Sequence, residues 1–508
     1  MKYTDNLIIG AGIGGVYLAT RLKKIKPKES ILIVDRNKCY GGRLACSITD
    51  DGVAIEMGGI RLYETIHKRV LTLARKYNSH LTEYLPSTEG HIIYLRGVAY
   101  NVNELYPNSD QSYNINENEK GKNPFIMLNE NLNKLFSTNN LHDFETRIKI
   151  IKGNIDFSTK TFQDLAQMDM SDENFQRVMD ILGYYDLLKT NTAFIILAIE
   201  FLSISNNSIK QYRIIQGFAS LIKKIADDNN INVIKYANIK YLDINKDIPN
   251  ISCSFKTEII RIKKNKSGLW IVHYGYTKIN SIEEIYNKIK KTAKIKVKNI
   301  YYTGTIKFLT RIYNFSNTYY INSFIPISAL RIYLRYSTDW MTGRGIGLGK
   351  TITTLDGGQI IHYADKYIMF YIIGYQSNVF LSTLPRQIQY KLIVPEPSTY
   401  QLIDRCNKVL KTTFDIKDDL PLVTDIAWAY WNDAFSMYSA RNLQTFDTTF
   451  SLVDIFNRLM FPFGKHGNFY VVSNEIGMNT GWCEGSLENV DYLCNQKYKQ
   501  PLFDKNNI

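Results

Sequence analysis

The sequence predicts an α/β fold that opens on a Rossmann-like dinucleotide-binding unit. Three observations predict it. The apolar run NLII over residues 6–9 enters the glycine-rich turn GAGIGG; a stretch with apolar side chains at helical spacing follows over 16–24; and a second apolar run, ILIV, ends at Asp35. That order is strand, turn, helix, strand, the βαβ unit of a parallel sheet. The 508 residues are 45% apolar and 22% charged, ordinary globular usage and enough for about three domains. Disordered, collagen-like and disulfide-scaffold chains are thereby excluded.

In the turn, Gly10, Gly12 and Gly15 hold the GxGxxG register. The first allows the tight turn, the second lets backbone approach a pyrophosphate, and the third lets helix and strand pack closely. Ile13 and Gly14 complete the turn, and the helix that follows points its positive N-terminus at the phosphates. Asp35 falls twenty residues after Gly15 at the end of the second strand, where an acid accepts hydrogen bonds from a ribose diol, with Arg36 beside it. NAD and FAD both satisfy this pattern. Residues 107–124 (PNSDQSYNINENEKGKNP) read as a long polar loop. Residues 128–208 read as helical, with NFQRVMDILGYYDLLK carrying apolar side chains three and four apart. Beyond residue 211 come a helix, GFASLIKKIADD, and the short strand-like runs INVIKY, EIIRIKK, LWIVHYG and VKNIYYTG. Residues 329–380 alternate as strands, and 468–493 read strand, glycine-containing turn, helix.

The net charge is 62 − 48 = +14, which favours polyanion contact, but the lysines are scattered through KKIKPK, IKKNKSG and KIKKTAKIKVK. Nucleic-acid binding is not the expected main function. No apolar run reaches the ~18 residues of a membrane span; the nearest, over 193–202, contains Glu200. The N-terminal residues do not read as a signal peptide. The six cysteines fit a reducing compartment, so an intracellular (cytoplasmic) location is expected. No HxxxH or CxxC pair marks a metal site.

Further along, Gly41-Gly42-Arg43 follows Asp35, then EMGG over 56–59, with Ile60 and Arg61 next. Near the other end stands NFYVVSNEIGMNTGWCEGSLENV, and FKTEIIRI lies between. These motifs resemble those of the flavin-containing amine oxidase family, most closely its L-amino-acid oxidase branch. The resemblance covers nearly the whole chain, with the helical stretch least matched. It implies an FAD-binding domain of amine-oxidase type at 1–65, 211–310 and 455–500, a mixed-sheet substrate domain at 66–106 and 311–454, and a helical insert at 107–210. It further implies that Arg43 neutralises pyrophosphate charge and that Gly58 and Gly59 admit the isoalloxazine edge. Ile259 would meet adenine through its backbone, Glu475 would hold the ribityl or pyrophosphate region, the backbone around Trp482 and Cys483 would face the flavin pyrimidine ring, and Gly481 beside it would be a backbone acceptor for the substrate amine. No cysteine is firmly placed for covalent attachment, so FAD is expected to be non-covalent.

For the substrate, the resemblance makes Arg61 the carboxylate clamp, a task that suits a planar guanidinium; pairing of Arg61 with Glu56 or Glu64 is the plainer alternative. Tyr363, or His362 after a one-residue slip, falls at the carboxylate-binding tyrosine. Trp482 would wall the substrate, with Tyr430 or Trp431 opposite. Arg331 stands where the family usually carries lysine, and an arginine cannot act as a tunable base. The altered turn at Gln216-Gly217-Phe218 is a second departure. The implied reaction is hydride transfer from the substrate α-carbon to flavin N5, giving an imine that hydrolyses to keto acid and ammonia, with O2 as acceptor and H2O2 as product. Alternatives are a desaturase or porphyrinogen-type oxidase, or a flavoprotein without turnover that serves in binding. The expected partner is a small amine or amino acid, and a homodimer is compatible.

Overall fold

The computed structural model describes residues 2–64, 67–84, 88–135, 137, 161–183, 210–234, 251–276, 292–313, 321–322, 324–384, 389–438, 452–477, 479 and 483–501. The chain divides into two compact units, Met1–Glu83, Lys210–Phe324 and Leu452–Ile508 forming the first, Tyr84–Ile209 and Ile325–Ser451 the second.

The first unit is built on an eight-stranded sheet. Its elements in chain order are β1 (Lys2–Ile9), α1 (Ile13–Ile25), β2 (Ile31–Val34), α2 (Lys68–Lys76), α3 (Phe218–Asp228), β3 (Asn232–Ile234), β4 (Ile251–Ser254), β5 (Thr257–Lys264), β6 (Trp270–Tyr276), β7 (Thr292–Tyr302), α4 (Ile306–Ile312), β8 (Phe469–Val471) and α5 (Cys483–Tyr498). The sheet order is β3-β4-β2-β1-β7-β6-β5, with β8 also paired to β7. From β3 to β7 the pairing is parallel, with β1 flanked by β2 and β7; β5, β6 and β7 pair antiparallel. All four residues of β2 are buried, as a central parallel strand covered on both faces requires. Helix α1 buries Val16, Leu18, Ala19 and Leu22. A Cβ on Gly14 would lie 3.0 Å from the Cβ of Ser486, so α1 packs closely on α5.

The second unit holds another eight-stranded sheet. Its order is Gln389–Ile393, Val423–Tyr438, Phe324–Tyr336, Tyr367–Ile373, Gln359–Ala364, Gly349–Thr353, Ile92–Leu95 and Val98–Asn101. Gly349–Thr353 runs parallel to Ile92–Leu95, while its other neighbour and the central hairpins are antiparallel; the sheet is mixed. Its core includes Leu330, Ile332, Phe370 and Ile372 from the strands and Leu402 and Leu410 from the helix Tyr400–Thr413.

The strand-like runs of the sequence are strands, and GFASLIKKIADD is α3. Three details differ. Residues 66–83, expected in the substrate domain, lie with the first unit. The expected polar loop carries short helical turns at Leu105–Asn108 and Ser109–Ser112. The helix read through NFQRVMDILGYYDLLK is Asp172–Leu182 and ends at Gly183, which takes φ +67. An αL glycine supplies the C-terminal carbonyls with partners and stops the helix, although apolar spacing continues past it. Residues 184–209, with the apolar run over 193–202, lie outside the described residues. Among the described residues, no helix is long and apolar enough to cross a membrane.

Candidate functional site

The glycine turn has the geometry its spacing predicts. Gly10 takes φ +119, a region that favours glycine, and a Cβ on Gly15 would overlap the Gly10 carbonyl oxygen. Strand and helix therefore meet as closely as the third glycine allows. Gly12 is the N-cap of α1 and supplies no capping side chain, so the first-turn N–H groups have no partner within the helix. A Cβ on Gly12 would meet only the Gly41 carbonyl oxygen, at 3.7 Å. Gly12 and Gly41 form a parallel bridge, and Gly41 N donates to the Ala11 carbonyl at 3.2 Å. The GxGxxG turn and the GGR loop are thus side by side. Gly58 packs on the backbone of Arg43, and a Cβ on Gly59 would lie 2.7 Å from the Leu44 side chain. Ile13 and Ile60 are buried.

Asp35 is buried and accepts the N–H of Ala11 and of Asn37, each at 2.7 Å and each on a different oxygen. Burial pushes its carboxyl up against those two donors. Each oxygen keeps a second lone pair for a further donor. Asp35 therefore fixes the glycine turn as well as standing where a ribose is expected. Asp35 O accepts from Thr257 N at 2.8 Å, which brings the start of β5, and the buried Ile259 two residues on, beside the end of β2. Arg36 is exposed and lies over the Phe308 ring, 5.3 Å from its centroid.

Arg43 donates to Glu475 Oε1 at 3.2 Å and to Asn474 Oδ1 at 2.6 Å. Glu475 is buried, and its other oxygen accepts the Ile306 N–H at 2.6 Å. In this arrangement Glu475 reaches the glycine loops through Arg43. It also caps α4, and two other motif carboxylates act alike. Glu56 of EMGG accepts the Phe218 N–H at 2.8 Å at the start of α3. Glu484 of the closing motif accepts the N–H groups of Arg69 and Val70, at 2.9 and 3.0 Å, at the start of α2. Each carboxylate satisfies donors that a helix N-terminus leaves open. Burial raises the Glu484 carboxyl, while Arg69 and the two N–H groups oppose the shift. Arg69 also bonds Glu488 and Asp491, and Asp491 bonds Arg21 and Tyr17, joining α1, α2 and α5.

His67 went unremarked in the sequence, where no spacing marks it. It is fully buried, and its Nδ1 accepts the Tyr63 N–H at 2.9 Å. The proton of the neutral ring therefore sits on Nε2. Burial depresses its pKa to about 3. Arg61 is half-buried just before the short strand Leu62–Tyr63. Cys483 is half-buried at the start of α5, and its desolvated thiol is pushed up to about 12. Gly481 and Trp482 lie outside the described residues. All six cysteines are free thiols, and no cluster of three metal-ligating side chains occurs among the described residues.

The remaining expected residues belong to the second unit. Arg331 is buried, sits opposite Tyr371 on the neighbouring strand, and places its guanidinium 4.4 Å from the centre of that ring. The strand pairing is irregular between His362 and Ala364, so Tyr363 sits in a bulge, which re-aims side chains. Tyr363 packs edge-on against Tyr333, centroids 5.2 Å apart. His362 turns instead to the 339–347 loop: Nδ1 lies 3.0 Å from the Gly347 carbonyl and Nε2 3.3 Å from Asp339. Of the two neighbours, His362 is the one engaged with that loop. Tyr430 donates to Asn378 Oδ1 at 2.9 Å, and Trp431 stacks loosely on Tyr390.

The NAD(P)-binding Rossmann-like domain family matches residues 8–77. An uncharacterized protein of Acanthamoeba polyphaga mimivirus is 20% identical over 99% of this chain and 96% of its own. Cyclohexylamine oxidase from Brevibacterium oxydans superposes with a TM-score of 0.64 at 14% identity, covering 98% of this chain and 99% of its own. The fold is that of the amine oxidases. Putrescine oxidase, solved with putrescine bound, gives a TM-score of 0.61 at 13% identity over 98% of this chain and 99% of its own.

The residues present fit a dinucleotide such as FAD. The open face at Gly12, the uncapped N-terminus of α1 and the Asp35 lone pairs match the pyrophosphate and ribose of such a group.

Proposed function

We propose that this protein is an FAD-dependent oxidase of L-amino acids or closely related amines. The observation that carries the reading is the juxtaposition, within an amine-oxidase fold, of the Gly12 turn, the GGR loop and the Gly58-Gly59 pair. Gly10, Gly12, Ile13, Gly14 and Gly15 would take the pyrophosphate, with Arg43 held beside it by Glu475 and Asn474. Asp35, Arg36 and Ile259 would hold the adenosine half, and Gly42, Ile60 and Cys483 would line the remainder with backbone. Non-covalent FAD, when bound, would supply the hydride acceptor for the amine-bearing carbon and the route of electrons to O2.

The chain's own residues would orient the substrate and exclude water. Arg61 would clamp its carboxylate, and Tyr363 and Trp482 would flank it. A guanidinium is a donor and not a proton acceptor, so the part of Arg331 would be electrostatic rather than proton transfer.

The test is an anaerobic visible spectrum before and after L-amino acids and their decarboxylated amines. Flavin bands that bleach with amino acids and not with the amines support this reading. Bleaching by amines alone removes Arg61 from its role and leaves an amine oxidase. Flavin bands that no amine bleaches favour the desaturase, porphyrinogen-type or turnover-free readings. A protein that binds no FAD overturns the proposal.

A further inference from the structure

On the antiparallel part of the first unit's sheet, one face carries a grid of positive charge. Register places Arg261 of β5, His273 of β6 and Lys294 of β7 in one row, and Lys263, Ile271 and Lys296 in the next. Alternation puts all six on the same face; the opposite face is apolar, with Ile262, Val272, Trp270, Ile295 and Val297 buried. Arg261, Lys263 and Lys294 are exposed, while Lys296, His273 and Ile271 are half-buried. The residues crowd one another: partial burial first, then Lys294, Lys263 and Arg261, depress the His273 pKa. The only acid on these three strands, Glu258, is buried at the far end and faces Arg36 and Arg311. Among the described residues, none of the four Lys and Arg side chains has an ion-pair partner, whereas Lys298, further along β7, pairs with Glu29.

A solvated face needs no such arrangement. Soluble surfaces mix both signs, whereas here four cations flank His273 and Ile271 across the strands with no acid among them, and their mutual repulsion is a cost. An anionic partner offsets that cost. We infer that this face binds the phosphate backbone of duplex nucleic acid without regard to sequence, as an activity separate from the flavin chemistry. Charge complementarity selects an anion, and the shape of the face selects the duplex. Residues two apart along a strand stand about 7 Å apart, and β5 and β7 about 10 Å apart, so the long cationic tips can follow one backbone. The sole apolar member, Ile271, is half-buried, so no side chain projects to enter a bilayer. Among the described residues, no exposed aromatic platform accompanies the grid to stack single-stranded bases.

The test uses the full-length protein, a fluorescein-labelled duplex of random sequence and anisotropy over a KCl series. The double substitution Lys294→Glu and Lys296→Glu is compared with Lys134→Glu and Lys408→Glu, two exposed lysines of the second unit. Both variants lower the formal charge from +14 to +10, and circular dichroism confirms their folds. A Lys294→Gln and Lys296→Gln pair serves if the reversal perturbs the sheet. The inference expects a ten-fold or greater loss in the first variant only, with the salt slope falling by about 2. Equal losses in both variants would assign the effect to net charge and overturn it. So would absence of duplex binding, or binding to phosphatidylserine vesicles in its place.

Discussion

Gly12→Ala separates the fold from the ligand. At Gly12 the backbone has φ −74 and ψ −178, extended geometry that alanine adopts. The added Cβ would have one neighbour, the Gly41 carbonyl oxygen at 3.7 Å, an ordinary contact. Alanine is a poorer N-cap than glycine by roughly 0.5–1 kcal/mol, and it recovers about as much by restricting the unfolded chain. The apoprotein Tm should stay within about 2 °C. The pyrophosphate needs that same face of the turn, and a methyl there removes at least one charge-assisted N–H bond, about 1.5–3 kcal/mol. FAD should bind about ten- to a hundred-fold more weakly. Quenching of flavin fluorescence on titrating apoprotein measures the affinity, and a thermal melt measures the fold. Wild-type affinity in the variant would refute a pyrophosphate at Gly12. A collapsed apoprotein melt would show that Gly12 serves packing instead.

Gly15→Ala should do the reverse and unfold the first unit at lower temperature, since its Cβ overlaps the Gly10 carbonyl; a loss of at least about 2 kcal/mol in the apoprotein melt is expected. Glu484→Gln should cost about 1–2 kcal/mol in chemical denaturation, because it removes the charge from the carboxylate that caps α2, while Arg69 keeps Glu488 and Asp491. His67 binds its proton far less readily when folded, at about 3 against 6.5 unfolded, so the unfolded state takes up more protons below 6.5. Stability is retained above pH 6.5 and falls between 6.5 and 3, by about 1.4 kcal/mol per pH unit; His67→Gln should flatten that part of the stability profile. Arg61→Met should raise KM for amino acids by about a hundred-fold while sparing the corresponding amines, read from steady-state rates on paired substrates.

The nucleotide half was legible because its requirements are local. Gly10, Gly12, Gly15 and Asp35 lie within one βαβ unit, and a turn, a helix N-terminus and a strand end dictate their types. Three features were not legible. The tasks of Glu56, Glu475 and Glu484 as caps join residues 162, 169 and 414 positions apart, and no spacing encodes that. The bulge at Tyr363 shifts one strand by a residue, which alternation alone does not announce. Gly183 ends a helix whose apolar spacing runs on, because one left-handed residue outweighs periodicity beyond it.

The capping carboxylates have a consequence for how the chain is made. Glu475 and Glu484 come from the final segment and complete helices laid down by the first two, and β8 of that same segment adds to β7. During synthesis the glycine turn and Arg43 precede these supports, Arg43 by 432 residues. Until then α2 and α4 lack their caps and Arg43 lacks its anchor. A ribosome stalled before residue 470 should hold a nascent chain that carries the fingerprint and cannot keep a dinucleotide, so loading waits on synthesis of the third segment.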